Sequence, residues 1–431
     1  MLQTLKNAWR IEDLRKKILY TLFIVFIFRL GSAIPVPFVD FQALKAVFDA
    51  SVASGSMLAL MNVFTGGGLA SATVFAMGIS PYINASIILQ LLCVAIPALE
   101  RIVKEGGEEG KKKIAQWTRY ITVLLGLIQG YGFYVMIRSW GILTETSWWA
   151  GVVIVLTFTA GTAMLMWLGE RITENGIGNG ISIILFAGIV SRGPQLVMSL
   201  LGQFTTGKVL DIVLGVLMIV VGLAMVVMIV FMSNAERRIP IQYAKRVVGR
   251  KMYGGQSTHL PIKVNATGVL PIIFASSILA LPATIGMFLD TPAEGSLGAI
   301  VLGLFQQSSP FYIVLYALLI FAFSYFYASI QFNPVEIANN LKQNGGFIPG
   351  FRPGRPTAEF ITKAMSKVLF VGAIFLCIIA LVPLIIGAFS SGLSNIAIGG
   401  TSVVIVVGVA LETVQQIEAQ LMMRHHKGFL E

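Results

Sequence analysis

The chain has 431 residues, of which 56% are hydrophobic and only 12% charged, with a net charge of +11 and a mean hydropathy of +0.82. Soluble domains carry about 25% charged residues, so this composition excludes a soluble globular protein. Long apolar runs recur along the whole length and predict an all-α polytopic membrane protein. Cys93 and Cys377 lie in apolar runs, so neither a disulfide framework nor a metal site is predicted.

The apolar runs predict ten membrane spans. The N-terminal stretch MLQTLKNAWRIEDLRKK is polar and leads into a full-length run without a cleavage site, so no cleavable signal peptide is predicted. The ten runs lie near residues 18–37, 73–95, 117–137, 151–169, 181–200, 211–232, 268–288, 311–331, 368–389 and 401–421. The fifth is the weakest, because Arg192, Gly193 and Pro194 interrupt it.

A short apolar piece precedes the second run and is too short to be a span. Residues 57–64 make about two helical turns at ~1.5 Å per residue. Crossing the bilayer core needs roughly 20 residues. Gly66, Gly67 and Gly68 follow this piece directly. We therefore predict a half-length apolar helix on a glycine hinge at the mouth of the second span.

The distribution of Lys and Arg predicts the orientation. With both termini placed in the cytoplasm, 26 of the 31 Lys and Arg fall in cytoplasmic segments. Four fall on the other side, namely Lys45, Arg138, Arg192 and Lys208, and Arg29 lies within the first span. This asymmetry follows the positive-inside rule and supports ten spans with cytoplasmic N and C termini.

Two cytoplasmic loops, residues 233–265 and 332–362, carry more positive charge than topology requires. The first contains RRIPIQYAKRVVGR and STHLPIKVN, whose alternating apolar residues are typical of paired strands. The second contains GGFIPGFRPGRPT, whose prolines stiffen a turn. Attraction to anionic lipid is one explanation, and docking to an acidic or phosphate-rich partner is the other, which ordered arginines favour. The candidate docking residues are Arg237, Arg238, Lys245, Arg246, Arg250, Arg352 and Arg355.

The sequence predicts no enzyme and no cofactor. It contains no HExxH, GxSxG or P-loop motif, and the glycines of ENGIGNGIS precede a span and follow no soluble strand. Acidic residues lie in loops and near span ends, which disfavours an ion-coupled transporter. A pore remains. The alternatives are a small-solute secondary transporter, a pore-less membrane insertase and an intramembrane enzyme, which need a mid-membrane polar site, a polar groove and a catalytic dyad, respectively.

Spacing within the spans is compatible with a pore. Ile83 and Ile87 share one helix face, and Ile181 and Leu185 repeat that spacing. Polar groups on otherwise apolar spans are Asn84, Ser86, Gln90, Ser276 and Ser277. Small and polar residues also mediate ordinary helix packing in membranes. Spacing alone therefore leaves both interpretations open.

Six motifs, in order along the chain, resemble the SecY family, the channel subunits of the bacterial protein-export translocon. The resemblance extends from about residue 10 to residue 423. The motifs are GGGLASATVFAMGISPYINASIILQLL, ITENGIGNGISIILFAGIV, RRIPIQYAKR, QSTHLPIKVNATGVLPIIFASSI, NPVEIANNLKQNGGFIPGFRPG and GGTSVVIVVGVALETVQQIEAQLM.

This resemblance implies two inverted five-span halves around a central pore, residues 1–200 and 211–431, joined by an outer linker at 201–210. Residues 57 to about 70 match the plug helix of the family, with Met57, Leu58, Leu60, Met61, Val63, Phe64, Gly66, Gly67 and Gly68 as its candidate residues. The pore constriction is implied to consist of Ile83, Ile87, Ile181, Leu185, Ile273 and Ile405. Leu185 stands where such rings commonly have isoleucine.

The resemblance also implies a function. The chain is expected to be a passive protein-conducting channel of the bacterial cytoplasmic membrane that moves unfolded secretory preproteins and releases signal peptides sideways into lipid. The lateral gate lies between spans 2–3 and 7–8, with Asn84, Gln90, Ser276 and Ser277 as candidate contacts. Implied partners are the SecA motor ATPase, the ribosome, SecE-type and SecG-type small subunits and anionic lipid. No nucleic acid is expected except through the ribosome.

Overall fold

A computed structural model describes residues 2–53, 62, 65–205, 209–243, 246–248, 251–253, 257–265, 267–286, 303–306, 309–389 and 394–425. The helices are α1 (Leu2–Arg10), α2 (Glu12–Gly31), α3 (Phe41–Ala53), α4 (Ser80–Ala95), α5 (Pro97–Glu105), α6 (Gly107–Ser139), α7 (Trp148–Asn175), α8 (Gly180–Val190), α9 (Gly193–Thr205), α10 (Val209–Asn234), α11 (Leu270–Gly286), α12 (Pro310–Gln331), α13 (Pro334–Gln343), α14 (Arg355–Phe389) and α15 (Ser394–His425). The strands are β1 (Glu236–Tyr243), β2 (Arg246–Val248), β3 (Lys251–Tyr253), β4 (Ser257–Lys263) and β5 (Gly346–Phe347).

Six helical segments of the described residues are long and apolar enough to cross a membrane. They are Gly107–Ser139, Trp148–Asn175, Gly215–Asn234, Pro310–Gln343, Arg355–Ile386 and Ser402–Met422. The bent pair of α4 and α5 makes a seventh if it counts as one span. The chain is thus a multi-pass helical membrane protein, while the count of ten spans and the cytoplasmic termini stay predictions.

A proline separates α4 from α5. Pro97 starts α5, and Ile96 before it has an extended backbone with φ −108° and ψ 111°. A residue that precedes proline is disfavoured in the helical region, so α4 ends here. The two helices meet at 106°. If α4 crosses the bilayer, α5 therefore runs roughly parallel to the membrane plane.

The predicted fifth span consists of two helices. Ser191 and Arg192 lie in a turn between α8 and α9, at the interruption that the sequence indicated. Asn179 caps the start of α8, because its side-chain oxygen accepts hydrogen bonds from the backbone N–H groups of Ile181 and Ser182.

The two basic loops share one small antiparallel sheet with the order β4–β1–β5. β1 and β4 come from the loop after α10 and pair over their whole length, which confirms the predicted paired strands. β5 comes from the loop after α13 and pairs with the end of β1. Apolar side chains under the sheet form a core with α13 and α14 that includes Ile239, Ile241, Ile262, Leu341 and Ile348. The two loops therefore form one unit. This small sheet is an addition to the predicted all-α fold, and the remaining described elements, apart from the short β2–β3 pair, are helices.

An ion pair joins α6 to α7. Nε of Arg119 donates to Oε1 of Glu170 at 2.9 Å, and the Glu170 side chain is only 22% exposed. We expect Glu170→Leu to destabilise the protein by about 1 kcal/mol, the upper end for a partly exposed pair. Thermal unfolding in detergent measures this. Glu174→Leu is the matched control, since Glu174 pairs with Arg171 on its own helix. Equal midpoints for the two variants would contradict a role for the α6–α7 pair.

Candidate functional site

The six predicted constriction residues lie in one apolar cluster. Ile83, Ile87, Leu185, Ile273 and Ile405 are buried, and the half-buried Ile181 packs against the same cluster. The side chains come from four helices, α4, α8, α11 and α15. The cluster continues into α2, α12 and α14, so in this structure the six residues are part of a closed interior.

Three of these helices begin just before their predicted constriction residues. α4 begins at Ser80 and has Pro81 in its first turn. Ile83 and Ile87 follow Ser80 by three and seven residues. α8 begins at Gly180 behind its asparagine cap, and α11 begins at Leu270. The constriction residues predicted on these three helices thus lie near the helix starts, whereas Ile405 lies well inside α15, which begins at Ser394. Short, glycine- or proline-started apolar helices are the sequence signal for this arrangement.

The predicted plug helix is only partly described. Met57, Leu58, Leu60, Met61, Val63 and Phe64 lie outside the described residues. Residues 65–70 form turns, so the helix predicted to continue to about residue 70 is wrong there. The second span was predicted to begin at residue 73, but residues 74–79 are also turns and α4 begins at Ser80. Gly66 at φ +67° and Gly67 at φ +91° are left-handed and cannot continue an α-helix.

Hydrogen bonds fix the glycine segment. Asn62 is buried, and its Oδ1 accepts from the backbone N–H of Ala70 at 3.0 Å. Its carbonyl oxygen accepts from the N–H of Gly67 and from the hydroxyl of Thr65. Oγ1 of Thr65 in turn accepts from the N–H of Leu69. The glycines therefore build a closed turn where the sequence predicted a hinge.

This turn rests on the end of α8. A β-carbon at Gly66 would lie 2.9 Å from the carbonyl oxygen of Gly188 and 3.0 Å from Oγ of Ser191. Such distances are shorter than real β-carbons adopt, so only glycine allows the turn to approach α8 this closely. The glycine end of the predicted plug is thus seated against a helix that carries predicted constriction residues.

The predicted lateral-gate helices contact each other, since α11 packs against both α4 and α6. Asn84 is buried and Ser277 half-buried. Nε2 of Gln90 donates to Oγ of Ser86, and the buried Oε1 of Gln90 has no partner among the described residues. The hydroxyl of Ser276 donates to the carbonyl of Ile273 in its own helix. The described hydrogen bonds of Gln90 and Ser276 therefore stay within their own helices.

The predicted docking residues differ in how they are held. Arg237 and Arg238 are the second and third residues of β1, and Nε of Arg238 donates to Oε1 of Glu236 at 2.6 Å. Arg246 starts β2, while Lys245 and Arg250 lie outside the described residues. Arg355 pairs with Glu359 one turn along α14 at 3.1 Å.

Arg352 is exposed on a turn with a fixed backbone. Its carbonyl oxygen accepts from Oγ1 of Thr357 at 2.8 Å. The rings of Phe351 and Phe360 lie 4.2 Å apart and hold the turn on α14. Ile348, just before the turn, is buried under the sheet. The described residues give the Arg352 guanidinium no acidic partner, so the turn presents a cation on a fixed backbone.

A cavity of about 500 Å³ lies between α2, α8 and α15. Its lining is almost entirely apolar and includes Leu22, Val25, Phe186, Val190 and Val414. The sequence analysis did not identify it, because its walls come from three helices that are distant along the chain. An apolar groove of this kind fits a hydrophobic helix.

Comparisons with known proteins agree with the architecture. The SecY family profile matches residues 73–414. The protein translocase subunit SecY of Streptomyces scabiei is 46% identical over 442 residues, covering 100% of both chains. The protein of the same name from Thermotoga maritima is 44% identical over 446 residues, covering 100% of this chain and 98% of its own.

Solved structures share the fold. "The structure of a protein conducting channel" matches with a TM-score of 0.63 at 17% identity, covering 94% of this chain and 92% of the other. A structure described as "Sec61 in the Canine ribosome-channel complex from the endoplasmic reticulum" matches with a TM-score of 0.59 at 16% identity, with the same coverage. At these identities the likeness concerns the fold alone.

Proposed function

This chain belongs to the SecY family, and we propose that it is the channel through which unfolded secretory polypeptides cross the bacterial cytoplasmic membrane. Its curated relatives are named protein translocase subunits. The observation that supports the proposal is that the six branched apolar side chains, from four helices, belong to or pack against one buried apolar cluster. Apolar constrictions of this kind gate by dewetting and present no charge that would trap an ion.

The constriction works in two states. At rest, Ile83, Ile87, Ile181, Leu185, Ile273 and Ile405 close the pore, and the plug segment covers it from outside. When a polypeptide enters, the helices move apart and the branched side chains pack around the chain whatever its sequence. The glycine turn on α8 supports a plug held in a fixed position at rest.

Signal peptides leave sideways between α4 and α11. An apolar signal helix gains about 25 cal/mol for each Å² of apolar surface that it moves out of water. The opposing polar contacts in a membrane contribute only ~0.6–2 kcal/mol each. Asn84, Gln90, Ser276 and Ser277 line this seam, and the unpartnered Oε1 of Gln90 gives an entering segment an acceptor. The gate therefore opens to apolar helices and stays shut to polar chains.

The channel is passive, and its partners drive it. The SecA motor ATPase or the ribosome docks on the cytoplasmic unit that the two basic loops build, with Arg352 as the central contact. A SecE-type subunit places its helix in the apolar groove between α2, α8 and α15. A SecG-type subunit and anionic lipid complete the assembly, and the chain crosses the membrane ten times with both termini in the cytoplasm.

A crosslinking map with a stalled secretory polypeptide tests this function. A photoreactive residue is placed in turn at each of the six constriction positions, and at Leu124 and Leu156, which are exposed on α6 and α7, as controls. We expect adducts at all six positions and none at the controls. Adducts confined to the surfaces of α4 and α11 would favour a pore-less insertase. An absence of adducts would contradict the channel and favour a small-solute transporter.

A further inference from the structure

A polar cavity of about 110 Å³ lies between α10, α15, the residues just before α11 and the basic loop at 233–265, called the docking loop below. Its lining includes Lys263, Asn265, Gly268, Glu412 and Gln415. Oδ1 of Asn265 is buried and has no partner among the described residues. Ordered water needs only about 10–15 Å³ of such space and two or more polar partners, so the cavity has room for water.

Gln415 of α15 links α10 to the docking sheet, which is the three-stranded sheet of β4, β1 and β5. Its Oε1 accepts from Nζ of Lys263, the last residue of β4, at 2.8 Å. Its Nε2 donates to Oδ1 of Asn234, the last residue of α10, at 3.5 Å. Next to it, the N–H of Val264 donates to the carbonyl of Ala235 at 2.9 Å. The end of the docking sheet is therefore attached to α15 by side-chain contacts.

Glu412 reaches the start of α11 from the same face of α15. Gly268, two residues before α11, has φ +62°, and a β-carbon there would overlap Oε1 of Glu412. A carboxylate at this place faces the positive end of the α11 dipole. Lys263 and Glu412 line the same cavity. The carboxylate thus lies between the docking loop and the first turn of the gate helix.

The same face of α15 continues to the constriction. Ile405, Gly408 and Glu412 follow one another at three and four residues, so they share one side of the helix. A β-carbon at Gly408 would overlap Cγ1 of Val269, which directly precedes α11. Ile273 of the constriction lies only five residues after Gly268. A shift of this junction therefore moves α11 and the constriction together.

We propose that Glu412, Gln415 and Lys263 form a coupling site that holds α11 closed at rest and releases it when a partner displaces the docking loop. The inference rests on the proposed lateral gate and adds the residues that connect it to the docking face. These are positioning residues that act through α11 and touch no polypeptide. Removing the Glu412 charge is expected to uncouple the gate from the loop.

Spin labels that flank the gate test the coupling. Cysteines replace Leu127 on α6 and Leu318 on α12, both exposed, in a chain whose Cys93 and Cys377 are serine. In the parent chain, a SecA-type motor with a non-hydrolysable ATP analogue, or a synthetic signal peptide, should lengthen the distance. In Glu412→Gln and Lys263→Gln, the resting distance should already be long and the motor should add little.

A variant that is merely destabilised would still lengthen the label distance when the motor binds, whereas Glu412→Gln and Lys263→Gln should not. The double variant should shift the resting distance no more than either single one, because coupled residues are not additive. Glu418→Gln, further along α15 and outside the cavity, should behave as the parent chain. A parent chain that responds while Glu412→Gln responds equally would overturn the coupling site alone. A parent chain that responds to neither motor nor signal peptide would overturn the lateral gate as well.

Discussion

Arg352→Glu is expected to abolish motor-driven export while the protein folds normally. The side chain is exposed, and the turn that carries it is held by a backbone hydrogen bond and two aromatic rings, none of which the substitution removes. An exposed cation on a fixed turn recognises a carboxylate or phosphate through charge-assisted hydrogen bonds, which a glutamate replaces with repulsion. ATP-dependent import of a precursor into vesicles with a SecA-type motor measures the loss.

Two matched variants sharpen the result for Arg352. Arg352→Lys keeps the charge but loses the planar fork, so export should fall to an intermediate level. Arg355→Gln should have little effect, because Arg355 is engaged with Glu359 on its own helix. Binding of each variant to ribosomes and to motor shows which partner depends on the turn. Normal import by Arg352→Glu, with an unchanged unfolding midpoint, would remove the docking role.

Much of the architecture could be predicted from the sequence, because its cause is local. Apolar runs indicate membrane helices, because a backbone in lipid must satisfy its own hydrogen bonds and a helix does so within one segment. The family prediction is confirmed by relatives that are 43–46% identical over essentially the full chain. The alternation of Ile239 and Ile241 predicted a strand, and the antiparallel pair of β1 and β4 confirms it. The interruption at Arg192 likewise separates α8 from α9.

The errors lie where tertiary contacts decide the backbone. The three glycines of the predicted plug looked like a hinge, but Asn62 and Thr65 hold their segment in a closed turn. The second span was predicted to begin at residue 73, but its helix begins at Ser80. An apolar run alone does not distinguish a helix from apolar turns. The contact between Lys263 and Gln415 joins residues 152 apart, and no local pattern indicates such a pair.

Gly66→Ala is expected to raise ion leakage through the resting channel. The added methyl group meets the backbone of α8 at Gly188, and φ +67° is strained for any residue with a β-carbon. The turn must lift off α8, which is expected to weaken the seal that we propose for the plug. Ion flux in proteoliposomes without motor or precursor measures the leak, and a chain lacking residues 57–61 sets its upper limit.

Two further alanine variants separate the clash from the strain. Gly67 also has a positive φ of +91°, but among the described residues its β-carbon would meet only Nε of Arg192 at 3.9 Å, so Gly67→Ala carries strain without a clash. Gly193→Ala carries neither, since no atom of the described residues lies within 4 Å of a β-carbon there. The leak should therefore fall in the order Gly66→Ala, Gly67→Ala, Gly193→Ala, and the last should match the parent chain. Export should persist in all three, because the constriction and the docking face are untouched. Equal conductance for Gly66→Ala and Gly193→Ala would mean that the seat on α8 does not hold the plug.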